Sequence, residues 1–95
     1  MPKQKINLTL FQADWCGHCK NFQPHWEDMT KYNKAQKLIN FQSYKDTDPE
    51  TKKRKISGYP TLQYSINGKT HEYNGNRTAK DIYSAILKTL ENNNK

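Results

Sequence analysis

The sequence predicts an α/β domain of order β-α-β-α-β-β-α, in which helices flank a four-stranded mixed sheet. Three observations carry it. Short runs that alternate apolar and polar residues (Ile6, Leu8, Leu10; later Leu62, Tyr64, Ile66) are separated by stretches with helical spacing. Asn67-Gly68 lies between two strand-like runs and is the strongest short hairpin signal, because a type I′ turn needs positive φ at both positions. Strand, helix and strand at the start imply a right-handed crossover with parallel strands, and the hairpin adds an antiparallel edge. The 95 residues fit one domain, and no repeat or linker divides them.

Ile6, Leu8 and Leu10 give the first strand one apolar face, and Phe11 follows. A turn at Ala13 to Trp15 leads into a helix from about Cys16 to Tyr32. Its inward stripe is Phe22, Trp26 and Met29, at spacings of four and three. Pro24 lies inside this helix and is expected to kink it. LINFQSY, residues 38–44, reads as the second strand. Asp48 before Pro49 has the form of an N-cap with proline at the first helical position, opening a short helix to about Lys55. Leu62 to Ile66 and Lys69 to Tyr73 are the hairpin strands. Thr78 with Asp81 three residues later resembles a capping box. The last helix then buries Ile82, Ile86, Leu87 and Leu90. The first residues and the terminal ENNNK are expected to fray.

Only 33% of residues are hydrophobic, a thin core supply that the 12% of aromatics partly offsets. The net charge of +7 favours acidic partners, membranes or nucleic acid, although lysine and asparagine are abundant throughout. The run Lys52-Lys53-Arg54-Lys55 is read as a solvated helix face in preference to a nucleic-acid patch. No stretch of about 20 apolar residues is present to cross a bilayer. MPKQKINLTLF has no signal-peptide pattern and ENNNK is not a KDEL-type signal, so the expectation is a cytosolic protein. Asn7-Leu8-Thr9 and Asn76-Arg77-Thr78 match the glycosylation sequon, which matters only in a secreted protein.

Both cysteines fall in ADWCGHCKNFQPHW, residues 13–26. As a staple, a bridge closing so short a loop constrains the unfolded chain little, and a reducing compartment disfavours it. Structural zinc wants four ligands, usually as two close pairs; His18, His25 and His71 supply no second pair. Covalent haem needs histidine where Lys20 stands. A redox pair fits best. Cys16 falls at the start of a helix, where unpaired N–H groups and the macrodipole stabilise an anion. The thiolate is the nucleophile, so this raises reactivity. One helical turn places Cys19 beneath Cys16, with Cys16 expected exposed and Cys19 partly covered. Gly17 permits the tight turn between them. His18, as a cation or N–H donor, further favours the Cys16 thiolate.

WCGHCK together with SGYPTL resembles the thioredoxin superfamily, and most closely its protein disulfide isomerase catalytic domains. Pro24 stands five residues after Cys19, as the family's helix-kinking proline does. Tyr73-Asn74-Gly75-Asn76-Arg77-Thr78 resembles the Y-x-G-x-R segment before the last helix. The resemblance implies a minimal thioredoxin fold, shortened at its N-terminal side, with Pro60 cis and facing the cysteines. It implies that Trp15, Tyr59 and Gly75 rim a substrate groove and that Arg77 swings toward Cys19. One departure stands out. The family usually buries an acid six residues before the first cysteine, and here that residue is Leu10. Cys19 is therefore expected to lose its proton more slowly, and Asp14 to sit in an exposed loop.

The function this implies is a thiol–disulfide oxidoreductase acting on protein or peptide substrates. Cys16 attacks, Cys19 resolves, and no cofactor beyond a redox-active Cys16–Cys19 disulfide is expected. Its partners would be those substrates and a reducing system, either glutathione or a thioredoxin reductase; a monomer without membrane or nucleic-acid contacts is expected. Two rivals are a glutaredoxin-like enzyme using glutathione and a non-catalytic basic binding module. Against the first, the paired glycines expected before the last helix are Gly75-Asn76.

Overall fold

The computed structural model describes residues 6–93. The elements run β1 (Ile6–Gln12), α1 (Gly17–Lys31), α2 (Asn33–Leu38), β2 (Ile39–Lys45), α3 (Pro49–Lys53), β3 (Thr61–Ile66), β4 (Lys69–Tyr73) and α4 (Ala79–Asn93). The four strands form one sheet in the order β2-β1-β3-β4. β1 pairs parallel with β2, Ile6 opposite Ile39. It pairs antiparallel with β3, Leu10 opposite Leu62. β4 returns antiparallel along β3 after Asn67 and Gly68, whose φ values of 53° and 84° are the two positive angles a type I′ hairpin needs.

β1 is a central strand, and its burial shows it. Ile6, Leu8 and Leu10 face α1 and α4 in one cluster with Phe22, Trp26, Met29, Ile82 and Ile86. Each such fully buried aliphatic side chain contributes about 1.5–3 kcal/mol. The opposite face of β1 is covered as well, beyond the single apolar face read from the sequence. Phe11 stacks on Tyr44 with ring centroids 5.9 Å apart, and the Arg54 guanidinium lies 5.7 Å above its ring. Thr9 is buried and donates to the Gln42 side chain at 3.2 Å, so burial leaves its hydroxyl satisfied.

Three local features differ from expectation. α2 was not anticipated, because in NKAQKL the apolar residues that turn toward the core are Ala35 and Leu38, too few for a helical period to register. Asp48 stands at the N-cap of α3, yet its carboxylate accepts from the Lys45 backbone N–H at 2.7 Å instead of capping the helix. That bond and Asp48 N–H to Lys45 O at 2.9 Å close the turn that aims α3. The helix stops at Lys53, and Lys55 takes a left-handed φ of 54°. At the end, residues 91–93 continue α4 instead of fraying; residues 1–5, 94 and 95 lie outside those described. Thr78 does accept the Asp81 backbone N–H at 3.2 Å, as its capping role requires. Ile82 and Ile86 are buried, while Leu87 and Leu90 are half-buried.

Candidate functional site

The C-terminal ends of β1 and β2 are in register, Gln12 opposite Lys45, so the turns that follow them sit side by side. The first turn carries Ala13, Asp14 and Trp15 and delivers Cys16 as the N-cap of α1. Cys16 keeps an extended backbone, with φ −88° and ψ 114°, and its sulfur occupies the place of a capping oxygen. The Cys19 backbone N–H donates to the Cys16 Sγ at 3.1 Å. On its other side the Cys16 thiol donates to the Tyr59 carbonyl at 3.5 Å. The Tyr59–Pro60 bond is cis, as the resemblance implied.

Cys16 was expected to be exposed and Cys19 covered. Both are 4% exposed. Ala13 and Tyr59 pack with the two cysteines in a small cluster of their own, which accounts for the cover over Cys16. Burial pushes the Cys19 thiol from its ordinary 9.0 up to about 11, aided by hydrogen bonding to Cys16 and by charge there. The Ala13 backbone and the Arg77 guanidinium pull it down.

The remaining expected residues fall in two groups. Trp15 is 71% exposed, and its ring meets Tyr59 edge-on at 5.8 Å. Its Nε1 donates to Asp46 at 2.9 Å. Asp14 is exposed, as expected, and pairs with Lys45 at 3.4 Å. Asp46 and Lys45 were missed by the sequence reading; the only signal for them was the strand register itself. On the far side of Pro60, Gly75 and Arg77 join Thr61, Tyr73 and Asn76 around an open cavity of about 390 Å³. Gly75 leaves room there for the Tyr73 ring: a Cβ would stand 2.6 Å from the Tyr73 hydroxyl and displace it. His18 is exposed and lines a smaller cavity with Asn21, Phe22, His25 and Arg77. Among the described residues it makes no hydrogen bond to Cys16. Gly17 opens α1 with free space around its Cα.

The basic run is partly engaged within the fold. Lys53 and Arg54 both pair with Glu50, and Arg54 also donates to Gln63. Among the described residues, no three of His, Cys, Asp and Glu gather as a metal-sized cluster.

Residues 1–88 match the thioredoxin family model. The chain belongs to the thioredoxin family. It is 36% identical over 91 residues to a thioredoxin domain-containing protein 5 homolog of Drosophila melanogaster, covering 90% of this chain and 22% of that protein. It is 37% identical over 86 residues to a probable protein disulfide-isomerase A4 of Caenorhabditis elegans, covering 86% and 14%. Human ERp44 superposes with a TM-score of 0.74 at 30% identity, over 87% of this chain and 27% of that one. The fold is thus a thioredoxin fold, and this is a thioredoxin domain related to the protein disulfide isomerases. It spans about a fifth or less of the curated relatives above.

The cytosolic expectation is corrected by these relatives. The protein disulfide-isomerases and ERp44 that the chain resembles point to the endoplasmic reticulum and away from the cytosol. That expectation rested on the ends of the chain, and a domain matching a small part of longer proteins says nothing about what flanks it. Among the described residues, no helix is long and apolar enough to cross a membrane.

Proposed function

We propose that this domain exchanges electrons with disulfides of protein or peptide substrates through Cys16 and Cys19. The observation that carries this reading is the placement of the Cys16 sulfur. It caps α1 and accepts the Cys19 N–H at 3.1 Å. Peptide dipoles at a helix start favour negative charge at that point, which is what an attacking thiolate needs.

In the reducing direction, the Cys16 thiolate attacks one sulfur of a substrate disulfide. The S–S bond breaks, one substrate thiolate leaves, and a Cys16–substrate mixed disulfide forms. Cys19 then loses its proton and attacks the Cys16 Sγ. The second substrate thiolate leaves with the electron pair, two electrons have passed to substrate, and Cys16–Cys19 is a disulfide. Run backwards, the same steps oxidise a substrate dithiol. If a substrate thiol attacks the mixed disulfide before Cys19 does, the result is isomerisation. Trp15 and Tyr59 flank the sulfur on one side, while Pro60 and Gly75 border the cavity on the other. An extended substrate strand is proposed to lie across them, with glutathione or a reductase restoring the dithiol. Electrons are held on the chain's own sulfurs, so no further cofactor enters.

The test is reduction of insulin by the domain with glutathione or dithiothreitol as electron source, beside refolding of a scrambled disulfide protein. Cys16→Ser is expected to abolish both activities, and Cys19→Ser to accumulate mixed disulfides on Cys16. Activity that survives Cys16→Ser overturns the assignment.

A further inference from the structure

The cavity behind His18 has no part in the exchange steps, yet one of its walls carries the residue that stands between the two cysteines. It measures about 180 Å³. Its near wall is one face of α1, with His18, Asn21, Phe22 and His25 at successive helical spacings, and Arg77 closes it from the segment before α4. Phe22 is buried and stacks against His25 with ring centroids 6.3 Å apart, so the His25 ring is held in place from below. Two imidazoles, a carboxamide and a guanidinium therefore bring N–H donors to one concavity from two separate elements.

The acids nearby do not answer these donors. Asp14 is paired with Lys45, and Asp46 accepts from Trp15. Asp28, one turn beyond His25, lines a different groove with Lys80. Among the described residues, neither histidine nor Arg77 takes part in an ion pair. His18 stands between the two cysteines in the first turn of α1 and the charge of Arg77 is felt at Cys19, so an occupant of this cavity lies about one helical turn from the dithiol.

We infer that this cavity binds a carboxylate, and that on a substrate it is the side chain of an Asp or Glu close to the reacting cysteine. Guanidinium and carboxylate are matched in geometry as well as in charge, and the histidines complete the donor set. The inference rests on the oxidoreductase reading for its substrate but not for its ligand chemistry. The domain would then favour disulfides flanked by acidic residues, in keeping with its net charge of +7.

A redox-inert probe separates the two. The reduced domain is titrated with an acetylated pentapeptide carrying serine in place of cysteine and Glu two positions away, with the Gln peptide as control and S-methylglutathione as a third arm. Backbone amide shifts of His18, Asn21, His25 and Arg77 are followed by NMR. The Glu peptide is expected to bind about three- to fivefold more tightly than the Gln peptide, a range set by exposed ion pairs. The difference should collapse at 1 M salt, where the Debye length is about 3 Å. His25→Glu should erase the preference, with circular dichroism verifying the fold of the variant. Shifts from S-methylglutathione at the same amides would support the carboxylate site with a glutathione carboxylate as an occupant. Equal binding of the Glu and Gln peptides, or shifts confined to other residues, overturns the inference whatever the insulin assay gives.

Discussion

Resolution by Cys19 should be slow at neutral pH and should accelerate steeply with alkali. Burial is the first cause, and the hydrogen bond and charge of Cys16 add to it; in the dithiol they lift that thiol from 9.0 to about 11. Each pH unit is a tenfold change in thiolate, so near pH 7 Cys19 holds about a hundredfold less thiolate than an ordinary cysteine. A more basic thiolate is intrinsically the better nucleophile, with a Brønsted coefficient of about 0.4–0.5, which returns about six- to tenfold. In the mixed disulfide the Cys16 contributions are gone and burial remains, so the net expectation is resolution up to about tenfold slower than for an unperturbed thiol in the same geometry. Mixing the reduced domain with Ellman's reagent in a stopped-flow places thionitrobenzoate on Cys16, and its release by Cys19 is read by absorbance. The second phase should rise about a hundredfold from pH 7 to pH 9 with no plateau. Arg77→Met removes a charge that pulls the Cys19 thiol down, so it should slow this phase further and leave the first phase less affected. Cys19→Ser should abolish the second phase. A plateau below pH 9, or a second phase untouched by Arg77→Met, refutes the reasoning.

The same shift affects stability at high pH. Folded protein keeps the Cys19 proton to about 11, whereas the unfolded chain releases it near 9.0, so folding binds the proton in between. That contribution is complete below pH 9 and is lost as pH rises through about 11; urea midpoints should fall over this window in wild type more than in Cys19→Ala. Gly75→Ala forces the Tyr73 ring away, since its hydroxyl and Cζ would lie 2.6 and 2.9 Å from the new Cβ. The Tyr73 bond to the Asn76 carbonyl should break at a cost of about 1 kcal/mol, seen as a Tm lower by about 4–8 °C. Ile86→Ala empties a fully buried position between α4 and the sheet and should cost about 2–5 kcal/mol by denaturant titration, a large share of a small domain's stability.

Legibility in the sequence followed range. Asn67-Gly68, the Phe22-Trp26-Met29 stripe and the Thr78 cap are written in neighbouring residues, and each formed as read. The spacing of Cys16 and Cys19 likewise gave the N-cap sulfur, because a helical turn fixes that geometry locally. What escaped depends on distant parts of the chain. Asp46 beneath Trp15 is 31 residues away and is brought there only by the parallel register of β1 and β2. The cover over Cys16 comes from Tyr59, 43 residues on. Asp48 looked like a helix cap because Asp-Pro is a local signal, but its carboxylate had a nearer donor in the turn at Lys45.

The two cysteines cannot be told apart by exposure, so their division of work has to come from what each one faces. Cys16 faces Tyr59 and the edge where Trp15 stands out into solvent. Cys19 faces the other way, into an open cavity of about 350 Å³ lined by Gln12, Ala13, Asp14, Lys20 and Gln23. Leu10 belongs to the apolar core, and the buried polar residues among those described are only Thr9 and Thr51, so no buried acid stands ready to take the Cys19 proton. The cavity supplies an alternative, because Cys19 lines it and an external base entering it would stand beside that residue. Resolution should therefore show general-base catalysis by external buffer: at fixed pH and ionic strength, the thionitrobenzoate release rate should climb with imidazole concentration. An internal acid would make that rate indifferent to buffer, so a flat response would mean that the proton leaves through the protein and not through the cavity.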